Sequence, residues 1–246
     1  MLFRKSLAGL TLAAAMALPA QAEMTDAERR EFRDEVREYL LENPEVLMEA
    51  IGVLEQRQAA EKLQDDQALV QVNADAIFND EGSFVGGNPD GDITIVEFMD
   101  YNCGYCKRAF PEVDTLVRKD GNIRFIVKEF PILGESSVLA SRFALATRMV
   151  EGDEAYEDVH NAMMSLRGGI AEAALMRLAD DKGYDGDAIK AQMNSDEVNK
   201  VLADTQALAQ RLQITGTPTF VMEDQMVRGY VPLENMVQIV AQLRAE

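Results

Sequence analysis

Cys103 and Cys106 are the only cysteines in 246 residues, and Gly104 and Tyr105 separate them. Two thiols at this spacing can staple the fold, hold a metal, or exchange disulfides with another molecule. A staple here closes a very short loop, which restrains the unfolded chain little, and a chain of this length buries a good core without one. A structural zinc site wants four ligands. The chain offers one thiol pair and a single histidine, His160, far away in sequence. Redox chemistry is the reading that remains, with thiolate binding of a soft metal such as Cu(I) as the alternative.

The pair stands where a buried strand meets a helix. "ITIVEFM" (93–99) is a short apolar, β-branched run, and "CGYCKRAFPEVDTLVRK" follows it as a helix, which Pro111 should kink or whose ladder it should interrupt. A cysteine at a helix N-terminus faces unpaired backbone N–H groups and the positive end of the helix dipole. In Cys-x-x-Cys motifs this lowers the thiol pKa from about 8.5 into the range of roughly 3.5 to 7.5. Cys103, at the helix start, is the expected nucleophile. Cys106, one turn further in and more buried, is placed to resolve a mixed disulfide formed at Cys103.

The elements that must position this pair are legible as a pattern. After the motif helix, "NIRFIVKEF" reads as a second strand, residues 136–212 read as helical, "TPTFVM" and "MVRGYV" read as strands, and Leu233 to Leu243 reads as a closing helix. Gly82 to Asp92, rich in turn residues, marks a boundary. Ahead of it, residues 23–81 read as helices. Thr25 with Glu28 forms a capping box, and Asn43-Pro44 restarts the helix as N-cap and first helical residue. An apolar stripe runs through Phe32, Val36, Tyr39 and Leu40, then Leu47, Ile51 and Leu54. The opening 22 residues have a basic start at Arg4 and Lys5, an apolar run from Leu7 to Leu18, and the small-x-small run Ala20-Gln21-Ala22. These features read as a signal peptide, so export and no membrane insertion after its removal are expected. A formal charge of −19 argues against nucleic-acid and anionic membrane surfaces as partners.

Three stretches resemble the thioredoxin superfamily and, within it, the DsbA-like exported thiol–disulfide oxidoreductases: "VEFMDYNCGYC", "ITGTPTF", and the long helical segment between the two halves. The resemblance spans about residues 83–246. It implies an α/β thioredoxin fold at 82–246, with a helical domain inserted at about 136–212. It also implies a cis Pro218 preceded by Thr217 opposite Cys103, on a loop whose backbone pairs with extended substrate. Glu97, six residues before Cys103, matches a buried carboxylate that moves the proton of the second thiol in DsbA proteins. Gly104, Tyr105, Thr217 and Pro218 are then the residues expected to meet substrate. Gly-Tyr replaces the Pro-His of the best-known DsbA motif, so a less oxidising couple is expected. Thr217 is similar to the residue at this place in DsbC-type isomerases.

"YLLENPEVLMEAI" resembles the N-terminal region of ScsC proteins, named for suppression of copper sensitivity. In some members that region forms trimers, and trimeric members are isomerases. The resemblance implies a periplasmic, homo-oligomeric enzyme, more isomerase or reductase than disulfide donor. It needs no cofactor beyond the cysteine pair and no metal. Its expected partners are exported cysteine-containing proteins, plus a membrane thiol reductase of the DsbD or ScsB type or an oxidase of the DsbB type. A DsbA-type donor and a periplasmic Cu(I)-binding module are the alternatives. His160 is expected to be a surface or packed residue, and the thirteen methionines to fill core gaps.

Overall fold

A fully buried strand sets the architecture. In β2 (Ile93–Met99) every residue except Thr94 is buried, as expected for a strand covered on both faces. The computed structural model describes residues 24–166 and 168–245, and the signal-peptide reading therefore lies outside the described residues. β2 pairs in parallel with β3 (Ile123–Glu129) and antiparallel with β4 (Thr219–Met222). β1 (Phe84–Gly87) and β5 (Gln225–Arg228) complete a five-stranded sheet of order β1-β3-β2-β4-β5. The parallel β2–β3 pair needs a crossover, which α4 (Gly104–Asp120) supplies. Gly121 ends α4 with φ 72°, a left-handed conformation that glycine adopts without a Cβ penalty. The result is an α/β thioredoxin fold with a helical insertion and an N-terminal helical extension.

The insertion consists of α5 (Glu135–Glu151), α6 (Asp153–Ser165), α7 (Glu172–Lys182), α8 (Gly186–Gln192) and α9 (Asp196–Arg211). Alternation along β2 divides the cores. Ile93 and Ile95 point to the face covered by α4 and by α10 (Leu233–Leu243), where Val113, Leu116, Met236 and Val240 are buried. Val96 and Phe98 point to the opposite face, against Val70, Ile77 and Leu208.

Two compact units divide the chain, Met1–Arg57 and Gln58–Glu246. The first holds α1 (Asp26–Glu42), whose Thr25 cap and Glu28 close both halves of a capping box. α2 (Glu45–Val72) begins in the first unit and ends in the second, where α3 (Ala74–Phe78) follows it. The boundary between these units falls inside α2. The reason is packing: Val70 and Ile77 are core residues beneath the sheet. Arg228 also holds the buried Asp66 carboxylate through two hydrogen bonds, at 2.5 and 2.8 Å.

One reading changes. Residues 82–92 contain a strand as well as turns, since Phe84 to Gly87 pair with Val127 to Arg124. Pro111 lies exposed inside the motif helix, which runs from Gly104 to Asp120, and interrupts its ladder as expected. Its missing N–H takes one bond out of the ladder on the solvent side.

Candidate active site

The motif helix begins on its nucleophile. Cys103 is the N-cap of α4, with extended backbone at φ −74° and ψ 115°, and its sulfur accepts the Cys106 backbone N–H at 3.4 Å. Serine or aspartate usually fills this role; here a thiol satisfies one of the unpaired donors of the first turn. Both cysteines are free thiols. Cys103 keeps 6% of its surface exposed and Cys106 keeps none, so only Cys103 can meet an incoming disulfide. Tyr105 stands out from the surface beside it at 62% exposure, and Gly104 is exposed.

The electrostatics divide the two thiols. A hydrogen bond from the Cys106 thiol does most to hold Cys103 at about 5 against an ordinary 9.0; Thr217 and the N–H groups of Cys106 and Tyr105 add to it, and burial opposes them. The same hydrogen bond, then burial, then the Glu97 charge push Cys106 far up, so it keeps its proton. This is the division of labour that nucleophilic attack followed by resolution requires.

Tertiary folding brings Thr217 and Pro218 to the pair from more than a hundred residues away. The Thr217–Pro218 peptide bond is cis. The Cys103 thiol donates to the Thr217 carbonyl at 3.2 Å. The Gly229 N–H donates to the Pro218 carbonyl at 2.8 Å, which fixes the loop to the end of β5. Glu97 lies on β2 between Val127 and Phe220 and is 4% exposed. Its Oε1 has no hydrogen-bond partner among the described residues. Burial, then the nearby Cys103 charge, raise its carboxyl to about 8.

Sequence reasoning missed a second buried constellation. Glu129, at the end of β3, accepts hydrogen bonds from Tyr101 at 2.8 Å, Tyr156 at 2.6 Å and Ser141 at 2.7 Å. Burial raises it to about 7 against the pull of those three donors. The Tyr101 hydroxyl also lies 3.0 Å from His160 Nδ1. His160 is therefore a packed residue, and burial lowers it to about 4, so it is neutral at pH 7. Asp100 is buried beside them. It accepts from the N–H groups of Asn102, Ile132 and Leu133 and from the Ser137 hydroxyl. This ties the approach to the motif to the start of the insertion. The only signal in the sequence was two polar residues, Asp100 and Tyr101, directly after a buried strand.

Fold and site together define a thioredoxin-fold protein with a solvent-reachable thiolate and a buried resolving thiol. Residues 94–241 match the DSBA-like thioredoxin domain family, and residues 28–61 match the copper resistance protein ScsC N-terminal domain. The chain belongs to the family of DSBA-like thioredoxin domains, and its structural neighbours are ScsC- and DsbA-like oxidoreductases of that fold. A thioredoxin-like oxidoreductase from Silicibacter pomeroyi DSS-3 is 43% identical, with 70% of this chain and 98% of that one covered and a TM-score of 0.66. A linker-deleted variant of Proteus mirabilis ScsC is 28% identical over 92% of this chain and 99% of its own, at a TM-score of 0.68. A sodium/proton antiporter of Salinispora arenicola is 25% identical over 150 residues, 61% of this chain, which spans 23% of the antiporter's length.

Proposed function

We propose that the protein catalyses thiol–disulfide exchange on exported, cysteine-containing proteins, working as an isomerase or reductase more than as a disulfide donor. The observation that carries this reading is the thiolate-favouring Cys103 cap, 3.2 Å from the Thr217 carbonyl and backed by a protonated Cys106. The Cys103 thiolate attacks a substrate disulfide, the Cys103–substrate disulfide forms, and the other substrate sulfur leaves as a thiolate. Rearrangement within the substrate then displaces Cys103 with a corrected pairing. If Cys106 attacks instead, its proton passes to the ionised form of Glu97, a minor fraction at neutral pH, the Cys103–Cys106 disulfide forms, and the substrate leaves reduced. Gly104, Tyr105, Thr217 and Pro218 form the surface that substrate meets. The pair itself is the only redox group required.

Gly-Tyr between the cysteines removes the imidazole of the Pro-His motif, which favours a less oxidising couple. The match of residues 28–61 to an ScsC N-terminal domain supports self-association through the first unit. There Phe32, Val36, Tyr39, Leu47, Ile51 and Leu54 expose between 40% and 57% of their surface. Side chains of this kind gain free energy when a second copy covers them. The compartment is the periplasm, after loss of residues 1–22. A membrane thiol reductase of the DsbD or ScsB type keeps the pair reduced. Among the described residues no helix is long and apolar enough to cross a membrane.

Acid quenching of cells followed by alkylation with a mass tag tests the direction. A mostly reduced pair supports the isomerase or reductase. A mostly oxidised pair makes the protein a donor recycled by a DsbB-type oxidase. The ScsC match also keeps Cu(I) binding in view, and copper that glutathione strips readily from the reduced protein sinks that role.

A further inference from the structure

Arg108 stands on α4, on the helix face it shares with Gly104 and Tyr105. It is exposed, and its guanidinium lies 4.3 Å over the ring of Tyr230. That ring is held at both ends. The Tyr230 hydroxyl donates to Glu112 Oε1 at 2.6 Å, and the preceding residue, Gly229, donates its N–H to the Pro218 carbonyl at 2.8 Å. A guanidinium over a fixed aromatic face keeps its planar fork of donors in one place. The partner that the helix offers it is Glu112, one turn further on. Both oxygens of Glu112 are already engaged, Oε1 by Tyr230 and Oε2 by the Leu233 N–H at 2.6 Å. Arg108 thus forms no ion pair among the described residues. The neighbouring Lys107 turns instead to the insertion, where its Nζ donates to the Leu166 carbonyl at 2.7 Å.

The surface between this cation and the nucleophile is open. A Cβ at Gly104, Gly216 or Gly229 would meet no atom within 4 Å, so backbone lies uncovered on the motif, on the proline loop and just past β5. Helix rise carries Arg108 about 7.5 Å beyond Cys103, and its side chain leans back toward the helix start. Two residues of extended chain span about 6.6 Å and turn their side chains to one face. A substrate cysteine joined to Cys103 therefore presents the side chain two residues away to this surface, within reach of the guanidinium. A planar guanidinium holds a carboxylate through two parallel hydrogen bonds. We propose that Arg108, seated on Tyr230, is a carboxylate subsite that selects substrate cysteines with an aspartate or glutamate two residues away. The inference rests on the disulfide-exchange reading above. In a chain with a formal charge of −19, this cation offsets, beside the nucleophile, a field that otherwise repels acidic segments.

The probes are two end-blocked peptides, Glu-Ala-Cys-Ala-Glu and Gln-Ala-Cys-Ala-Gln, each carrying its cysteine as a mixed disulfide with thiopyridine. In single turnover with the reduced protein, the Cys103 thiolate attacks the peptide sulfur and the Cys103–peptide disulfide forms. Thiopyridine leaves as its thiolate, takes up a proton from water and is read by its ultraviolet absorbance. The ratio of the two rates within one protein cancels any change in the Cys103 thiolate itself. At pH 7 and low salt the wild-type protein should favour the glutamate peptide about fivefold, the upper end for an exposed ion pair, and added salt should shrink that ratio. Arg108→Gln should bring the ratio to one or below. Lys119→Gln removes the same charge from the far end of α4 and should keep the wild-type ratio. A wild-type ratio near one, or a ratio that Arg108→Gln leaves unchanged, overturns the subsite. An equal fall in Lys119→Gln assigns the preference to net charge and also overturns it. No thiopyridine release from either peptide overturns the disulfide-exchange reading itself.

Discussion

Cys106→Ala removes the donor that does most to hold Cys103 as a thiolate. The Cys103 thiol stands at about 5 against an ordinary 9.0, and the Cys106 thiol is the largest cause. Hydrogen bonds to charged groups contribute about 1.5 to 3 kcal/mol. A thiol is a weak donor, so the lower figure applies. One pKa unit corresponds to about 1.36 kcal/mol, so the variant should raise Cys103 by about one unit, to about 6. At pH 6 the thiolate fraction then falls from about 90% to about 50%. Thiolate absorbance against pH reads this directly, and the rate of iodoacetamide alkylation should fall about twofold at that pH. The helix N-terminus and its N–H groups remain in the variant, so part of the depression survives. A return to about 9 refutes the contribution of the helix; no movement refutes the contribution of Cys106. The sign extends to stability. Because the folded value lies below the unfolded one, the thiolate's contribution is fully present above 9.0 and is lost as pH falls through about 5. The reduced protein should accordingly lose more stability than its disulfide form when acidified across that window.

Glu97 has the opposite sign. Its folded value of about 8 lies above the ordinary 4.5, so it contributes stability below 4.5 that is lost as pH rises through about 8. Glu97→Gln should therefore gain stability relative to wild type across that range, by at most about 5 kcal/mol; parallel denaturant midpoints against pH would contradict this. Tyr101→Phe strips one donor from Glu129 and the partner from His160 Nδ1. It should lower stability by about 1 to 3 kcal/mol, seen as a lower denaturation midpoint at constant slope, while leaving the Cys103 titration in place.

Much of the fold is written in local pattern. "ITIVEFM" and "NIRFIVKEF" are apolar and β-branched because both faces of their strands are covered, and they became β2 and β3. Leu233 to Leu243 became α10. β1 escaped notice because its four residues, Phe-Val-Gly-Gly, end on a glycine at φ 67° inside a turn-rich stretch. Its strand character comes from the β3 edge and not from propensity. The second half of α2 reads as a polar helix continuing the first. Its allegiance to the sheet depends on Val70 and on the Asp66–Arg228 contact, which joins residues 162 positions apart.

The sequence by itself determined the place of the thiol pair: two cysteines, three residues apart, at the start of a helix that follows a buried strand. Helix polarity and side-chain chemistry are local, so an expected nucleophile and an expected resolving partner could be named before any coordinates. Tertiary structure decided the surroundings of those atoms. It set Thr217 and Pro218 against Cys103, buried Glu97 with one oxygen unpaired among the described residues, and gathered Glu129, Tyr101, Tyr156 and His160 from three segments into one network. Burial and long-range hydrogen bonding set those proton affinities, and both depend on which distant segments meet, a quantity that no local window of the chain contains.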